Sequence, residues 1–169
     1  MNVRRHLQIV TSEGRPIEDT CYHRTRGLSR TDELGLDHAE ELFLHLFRDL
    51  CGSLFAETGD GIAAAKAFIV AELGEADGDL MFSSTVDLVY AIRCTRKSDF
   101  TFMPSDCPVC SRHLSDQEQA TVMLVRAARR GDDAALVQHA NALTEGQLMI
   151  GVGLAAKMLG EQLRKRCGN

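Results

Sequence analysis

From Asp37 onward, apolar side chains return at every third or fourth position, and short helix-starting signals stand in front of them. That spacing lines one face of a helix, and a chain made of such segments folds by burying those faces against one another. Asp37 with Glu40 reads as a capping box: the first side chain accepts from an otherwise unpaired amide and the second reaches back. Behind it Ala39, Phe43, Leu46, Phe47 and Leu50 form a stripe, and Gly52 is the expected stop. A second helix fits Gly61 to Leu73. It is apolar nearly all round apart from Lys66 and Glu72, which predicts a buried element ended by Gly74.

Ser84 to Thr95 suits a helix through Val86, Val89, Tyr90 and Arg93, with Ser84 and Asp87 as its cap, although its β-branched content also suits a strand. Residues 96–114, punctuated by Pro104 and Pro108, read as a loop. Ser115 with Glu118 is a second capping box, followed by Ala120, Met123, Leu124, Ala127 and Ala128, with Arg126, Arg129 and Arg130 opposite. Gly131-Asp132-Asp133 breaks the chain before a short helix carrying Leu136, Ala140 and Leu143. Thr144 with Gln147 then predicts the start of a long last helix with the stripe Leu148, Val152, Ala155, Leu159 and Leu163. A line of small residues on it, Gly146, Met149, Gly153, Ala156 and Gly160, is suited to close approach of another backbone. Its partner is either an internal helix or a protein partner, a second subunit above all, through Gly146, Gly153, Ala156 and Gly160.

The first thirty residues are different. Leu7 to Thr11 and Ile17 to Tyr22 are β-leaning runs around the turn cluster Ser12-Glu13-Gly14-Arg15-Pro16, which allows a short hairpin or an extended arm. The expected organisation is a basic N-terminal arm over 1–30 and a helical domain over 31–169. The fold class is therefore mainly α, a compact single-domain helical bundle with a loop-borne CxxC knuckle. A length of 169 residues suits one domain.

Charge is unevenly spread. Residues 31–92 hold thirteen Asp or Glu against Arg48 and Lys66 alone, whereas the flanks hold seventeen Lys or Arg against eleven acids. Six arginines fall in the first thirty residues, yet the net charge is −5 and aromatics are 5% with no Trp, so a nucleic-acid interface is the minor expectation. The run Gly146 to Ala156, free of Asp, Glu, Lys and Arg, is far short of the ~18 to 20 apolar residues that span a bilayer. Arg4 and Arg5 are followed only by Leu7, Ile9 and Val10 before Glu13, which is no secretory core. These features predict a cytoplasmic chain whose six cysteines are thiols or metal ligands.

The chemically distinctive segment is Cys107-Pro-Val-Cys110-Ser-Arg-His113. Two cysteines spaced by two residues curl their thiolates onto one tetrahedral ion, and Pro108 suits the turn between them. His113 offers a nitrogen and Cys94 a further sulfur, so the expected centre over 94–113 is Cys94, Cys107, Cys110 and His113, holding structural zinc with iron as the alternative. Cys21, Cys51, Cys167, His23 and His45 are substitutes by residue type. The tetrad Cys107-Pro-Val-Cys110 also resembles the glutaredoxin active site, which implies thiol-disulfide chemistry at Cys107. Those enzymes carry a cis-proline loop on a βαβ scaffold. This chain has no proline after Pro108, and its helix cap at Ser115 lies five residues past Cys110.

A second candidate set is His38, Glu41, His45 and Asp49, spaced by three, four and four along the first helix. Imidazoles and carboxylates in that arrangement suit iron, manganese or zinc if another helix supplies a matching set, and a solvated polar face is the competing account. No phosphate-cradling glycine loop and no GxSxG elbow is present. The expected function is a small zinc-knuckle binding, adaptor or regulatory module. The alternatives are a metal-dependent or thiol-redox enzyme at the helix stripe or Cys107/Cys110, and a nucleic-acid regulator acting through the basic arm.

Overall fold

A computed structural model describes Cys21 and residues 24–56 and 60–166. Residues 1–20 of the arm expected over 1–30, and with them most of the expected hairpin, lie outside the described residues. Among the described residues six long helices build the body: α1 (His38–Ala56), α2 (Asp60–Leu73), α3 (Glu75–Thr95), α4 (Asp116–Arg130), α5 (Asp133–Leu143) and α6 (Ile150–Arg166). The fold is all-helical, with one two-stranded antiparallel ladder among the described residues. In it β1 (Ser29–Arg30) pairs with β2 (His113–Leu114), Ser29 opposite Leu114 and Arg30 opposite His113. Among the described residues no helix is long and apolar enough to cross a membrane.

Both capping boxes form. The Glu40 amide donates to Asp37 Oδ1 at 3.0 Å, and the Asp37 amide donates to Glu40 Oε2 at 3.2 Å. Glu40 is itself pinned to α4, because Arg126 donates to both its carboxylate oxygens at 2.9 and 2.6 Å. On α1, Phe43, Leu46, Phe47 and Leu50 are fully buried, as their spacing requires. Gly52 does not stop this helix, which runs on to Ala56. A glycine lowers helix propensity by only ~1 kcal/mol, and packing outweighs that.

α2 departs from its expected all-round burial: Ala65 and Ile69 are buried, whereas Ala63, Ala64, Ala67 and Ala71 face outward. Alanine's small apolar area makes that exposure cheap. The segment read as helix or strand from Ser84 is helix, and it begins earlier, at Glu75, with Gly74 (φ 81°) as a one-residue junction from α2. Gly78 lets the two helices close up, since a Cβ there would stand 2.6 Å from Val70 Cα. Ser84 is thus a buried mid-helix residue, not a cap.

α6 also starts later than its cap signal implies. Thr144 Oγ1 donates to carbonyls instead of accepting from an amide, and Glu145 (φ 54°) and Gly146 (φ 73°) turn the chain away. Leu148 is consequently exposed, while Val152, Ala155, Leu159 and Leu163 form the buried stripe. The Glu145 carboxylate accepts from the Ser98 hydroxyl and from the amides of Lys97 (2.9 Å) and Ser98 (3.2 Å), and pairs with Arg96 at 3.0 Å. These partners, Ser98 first, hold its carboxyl down at about 2 against an ordinary 4.5. A lowered folded-state value means a stabilising contribution present in full above about pH 4.5 and lost as pH falls through about 2. An NMR acid titration of the Glu145 carboxyl is expected to show that low midpoint; a midpoint near the ordinary value would remove the assigned bonds.

The small-residue line divides. Ala156 is fully buried, and a Cβ on Gly160 would meet Arg129 N at 2.7 Å and Ala128 C at 2.8 Å, so this end packs on α4 within the chain. Gly153 has nothing within 4 Å of its Cβ position. Gly160→Ala is therefore expected to destabilise by ~1 to 3 kcal/mol through overpacking. Gly153→Ala is expected to stabilise by ~0.5 to 1 kcal/mol through helix propensity. Urea midpoints moving in the same direction would contradict this assignment of the two faces.

Candidate metal centre

Between α3 and α4 the chain runs from Arg96 to Ser115 with a single turn of 3-10 helix at Cys110–Arg112. A segment so poor in secondary structure needs partners for its backbone, and a buried ion pair supplies them. Arg48, on α1, donates to Glu118 Oε1 at 2.6 Å with the two side chains 4% and 0% exposed. The same guanidinium donates to the carbonyls of Ser111 (2.8 Å) and His113 (2.6 Å). Glu118 in turn accepts from the amides of Met103 (3.0 Å) and Ser115 (2.9 Å), the latter completing the α4 capping box. Ser115 Oγ donates to Thr101 O at 2.6 Å. One cation and one carboxylate thus hold both ends of the loop to the core.

On that framework Cys107 and Cys110 form the expected tight turn: the Ser111 amide donates to Cys107 O at 2.9 Å, and the Cys110 amide points at Cys107 Sγ at 3.4 Å. The third member is Cys21, whose Sγ is 3.4 Å from that of Cys107. Cys21 sits in a helical turn with Arg24 and Thr25, where Thr25 Oγ1 donates to Cys21 O at 2.9 Å. All three sulfurs lie within 4.8 Å of one another. Three thiolates about 2.3 Å from one zinc stand ~3.8 Å apart, so the group needs only small adjustments to close on an ion. Cys21 and Cys110 are buried with Met103, Leu28 packs beside them, and Cys107 is half-buried. This cluster is separate from the main core.

The sulfurs differ electrostatically. Burial pushes the Cys110 thiol up to about 12, with Cys107 and Cys21 adding to the rise. Cys21 is raised by burial and by Cys107. Burial acts the same way on Cys107, but hydrogen bonds from Cys110, Cys21 and the Val109 amide outweigh it and leave this thiol lowered. An incoming metal ion would displace protons from the other two.

The structure places Cys94 elsewhere, exposed near the end of α3. His113 is not in the group either: its Nδ1 lies 3.0 Å from Val109 O. Cys51 is buried in the main core, where burial raises it well above its ordinary value. Cys167 and His23 lie outside the described residues. Of the helix stripe, His38 and Glu41 are exposed. The His45 ring lies against Phe68, tilted by 53° with centroids 4.6 Å apart, and is 3.5 Å from Asp49, which accepts from Ser105. Among the described residues no His, Cys, Asp or Glu group of three or more converges as a metal site except Cys21, Cys107 and Cys110.

The sequence left Cys21 among five substitute ligands and did not single out Arg48. Cys21, separated by 86 residues from Cys107, offered only its residue type. Arg48 offered more, as one of two cations within an acidic stretch on a helix otherwise rich in core side chains. Fold and site together define a small all-helical protein with a three-cysteine centre. No family model, curated protein or solved structure matches the chain.

Proposed function

We propose that the chain is a metal-thiolate protein whose ion is zinc in a structural role, and that it acts as a binding, adaptor or regulatory module. The observation that carries this reading is the convergence of the Cys21, Cys107 and Cys110 sulfurs within 4.8 Å on two chain segments far apart in sequence. Thiolate ligands favour zinc and other soft ions, and the ion would staple the Cys21 turn to the 107–110 turn. Glu118, the buried carboxylate that anchors the same loop, is spent on Arg48 and two amides. Its role is therefore to anchor the loop. Among the described residues the helical scaffold also lacks the βαβ unit of the thiol-redox enzymes that the Cys-Pro-x-Cys tetrad resembles.

Elemental analysis of the purified chain is expected to find about one zinc per chain, with three sulfur neighbours by X-ray absorption. A chain free of metal with freely titrating thiols at all three positions would overturn this reading, and oxygen- or nitrogen-dominated coordination would move the ion elsewhere.

A further inference from the structure

The three sulfurs are not equally reachable, and their spacing favours one pair. Cys110 is 1% exposed and Cys21 6%, whereas Cys107 is half-buried and is the sulfur that solvent reaches. Its neighbour at 3.4 Å is Cys21 Sγ. A disulfide needs the sulfurs at ~2.05 Å, so this pair has to close by little more than ~1 Å. Cys94, exposed near the end of α3, and Cys51, inside the main core, offer no competing pair; the competitor is Cys110, within 4.8 Å of both sulfurs but only 1% exposed.

We propose that the centre is an oxidation site for peroxides, at which Cys107 and Cys21 become a disulfide and the metal ion is released. The inference rests on the metal-thiolate reading above. The Cys107 thiolate attacks one peroxide oxygen: the S–O bond forms, the O–O bond breaks, and hydroxide leaves. The Cys21 thiolate then attacks the sulfenic sulfur, forming S–S and expelling the second oxygen as hydroxide. Two thiolates lose two electrons in total, the peroxide gains them, and two protons from solvent complete two waters. The ion keeps only Cys110 of its three thiolates and leaves as the divalent cation. Because Cys21 and Cys107 belong to segments 86 residues apart, oxidation replaces the ionic staple with a covalent one and leaves Cys110 as a free buried thiol.

The test uses the full-length chain as purified, with its metal content measured first. Hydrogen peroxide is then titrated in while a colorimetric chelator reports released metal and mass spectrometry after differential alkylation maps the cysteines. The expected result is one metal ion released per disulfide formed, a Cys21–Cys107 crosslinked peptide, Cys110 alkylated only after unfolding, and recovery of metal binding after dithiothreitol. Cys94→Ser is expected to behave as the parent chain, and Cys21→Ser to lose the crosslink. Metal retained through complete peroxide treatment, or a Cys107–Cys110 crosslink in place of Cys21–Cys107, would overturn the proposal. A chain with no metal before peroxide is added would instead overturn the metal-thiolate reading, so the two failures are separable.

Discussion

Replacing Arg48 with alanine is expected to cost this protein ~3 to 5 kcal/mol, the range for removing one partner of a buried ion pair. The loss has two sources. Glu118, wholly buried, is left without its counter-ion, and the carbonyls of Ser111 and His113 lose a charge-assisted donor. For a chain of this length that corresponds to a fall in melting temperature on the order of 10 °C. The double variant Arg48→Met with Glu118→Gln should recover part of the deficit, because glutamine still serves the α4 capping box and no unpaired charge remains. Thermal unfolding of the three proteins checks both the loss and the partial recovery. If Arg48→Ala melts within a degree or two of the parent, the clamp does not hold the loop and the buried pair is ornamental.

On the proposed metal-thiolate reading, removing the ion is the second large effect, and it should be local. The sulfur cluster with Met103 and Leu28 stands apart from the core made by α1 to α6, so the helices do not depend on it. A strong chelator is therefore expected to leave the far-ultraviolet helical signal nearly unchanged while amide protection falls across residues 103–114. With free ion at a thousand times its dissociation constant, bound metal stabilises the native state by ~4 kcal/mol, and that contribution disappears on chelation. Hydrogen exchange with and without chelator checks the claim. Global loss of helix would mean the ion organises the whole body, and unchanged exchange would mean no ion sits at these sulfurs.

Much of the body was legible because its signals are local. The boxes at Asp37/Glu40 and Ser115/Glu118, and the stop at Gly131 (φ 72°), act within one turn and carry their own hydrogen bonds. The misreadings come where tertiary contacts override such signals. Thr144 and Gln147 look like a cap, but Glu145 is drawn into the 96–98 corner and the backbone turns left-handed. Gly74 restarts a helix at once because Gly78 allows α3 to lie against α2. At the centre, Cys107 and Cys110 are held by their own turn and could be read from spacing, whereas Cys21 could not. Its position follows from the β1–β2 ladder, which brings the chain after residue 25 alongside His113 and Leu114. Cys94 fitted the ligand spacing but sits on an exposed part of α3.

The most direct test of the account is the metal content of two single variants prepared side by side, Cys21→Ser and Cys94→Ser. The arrangement of sulfurs predicts that Cys21→Ser loses its metal, or binds it at least tenfold more weakly, while Cys94→Ser keeps the parent stoichiometry. Metal lost from Cys94→Ser and kept by Cys21→Ser would contradict the centre described above.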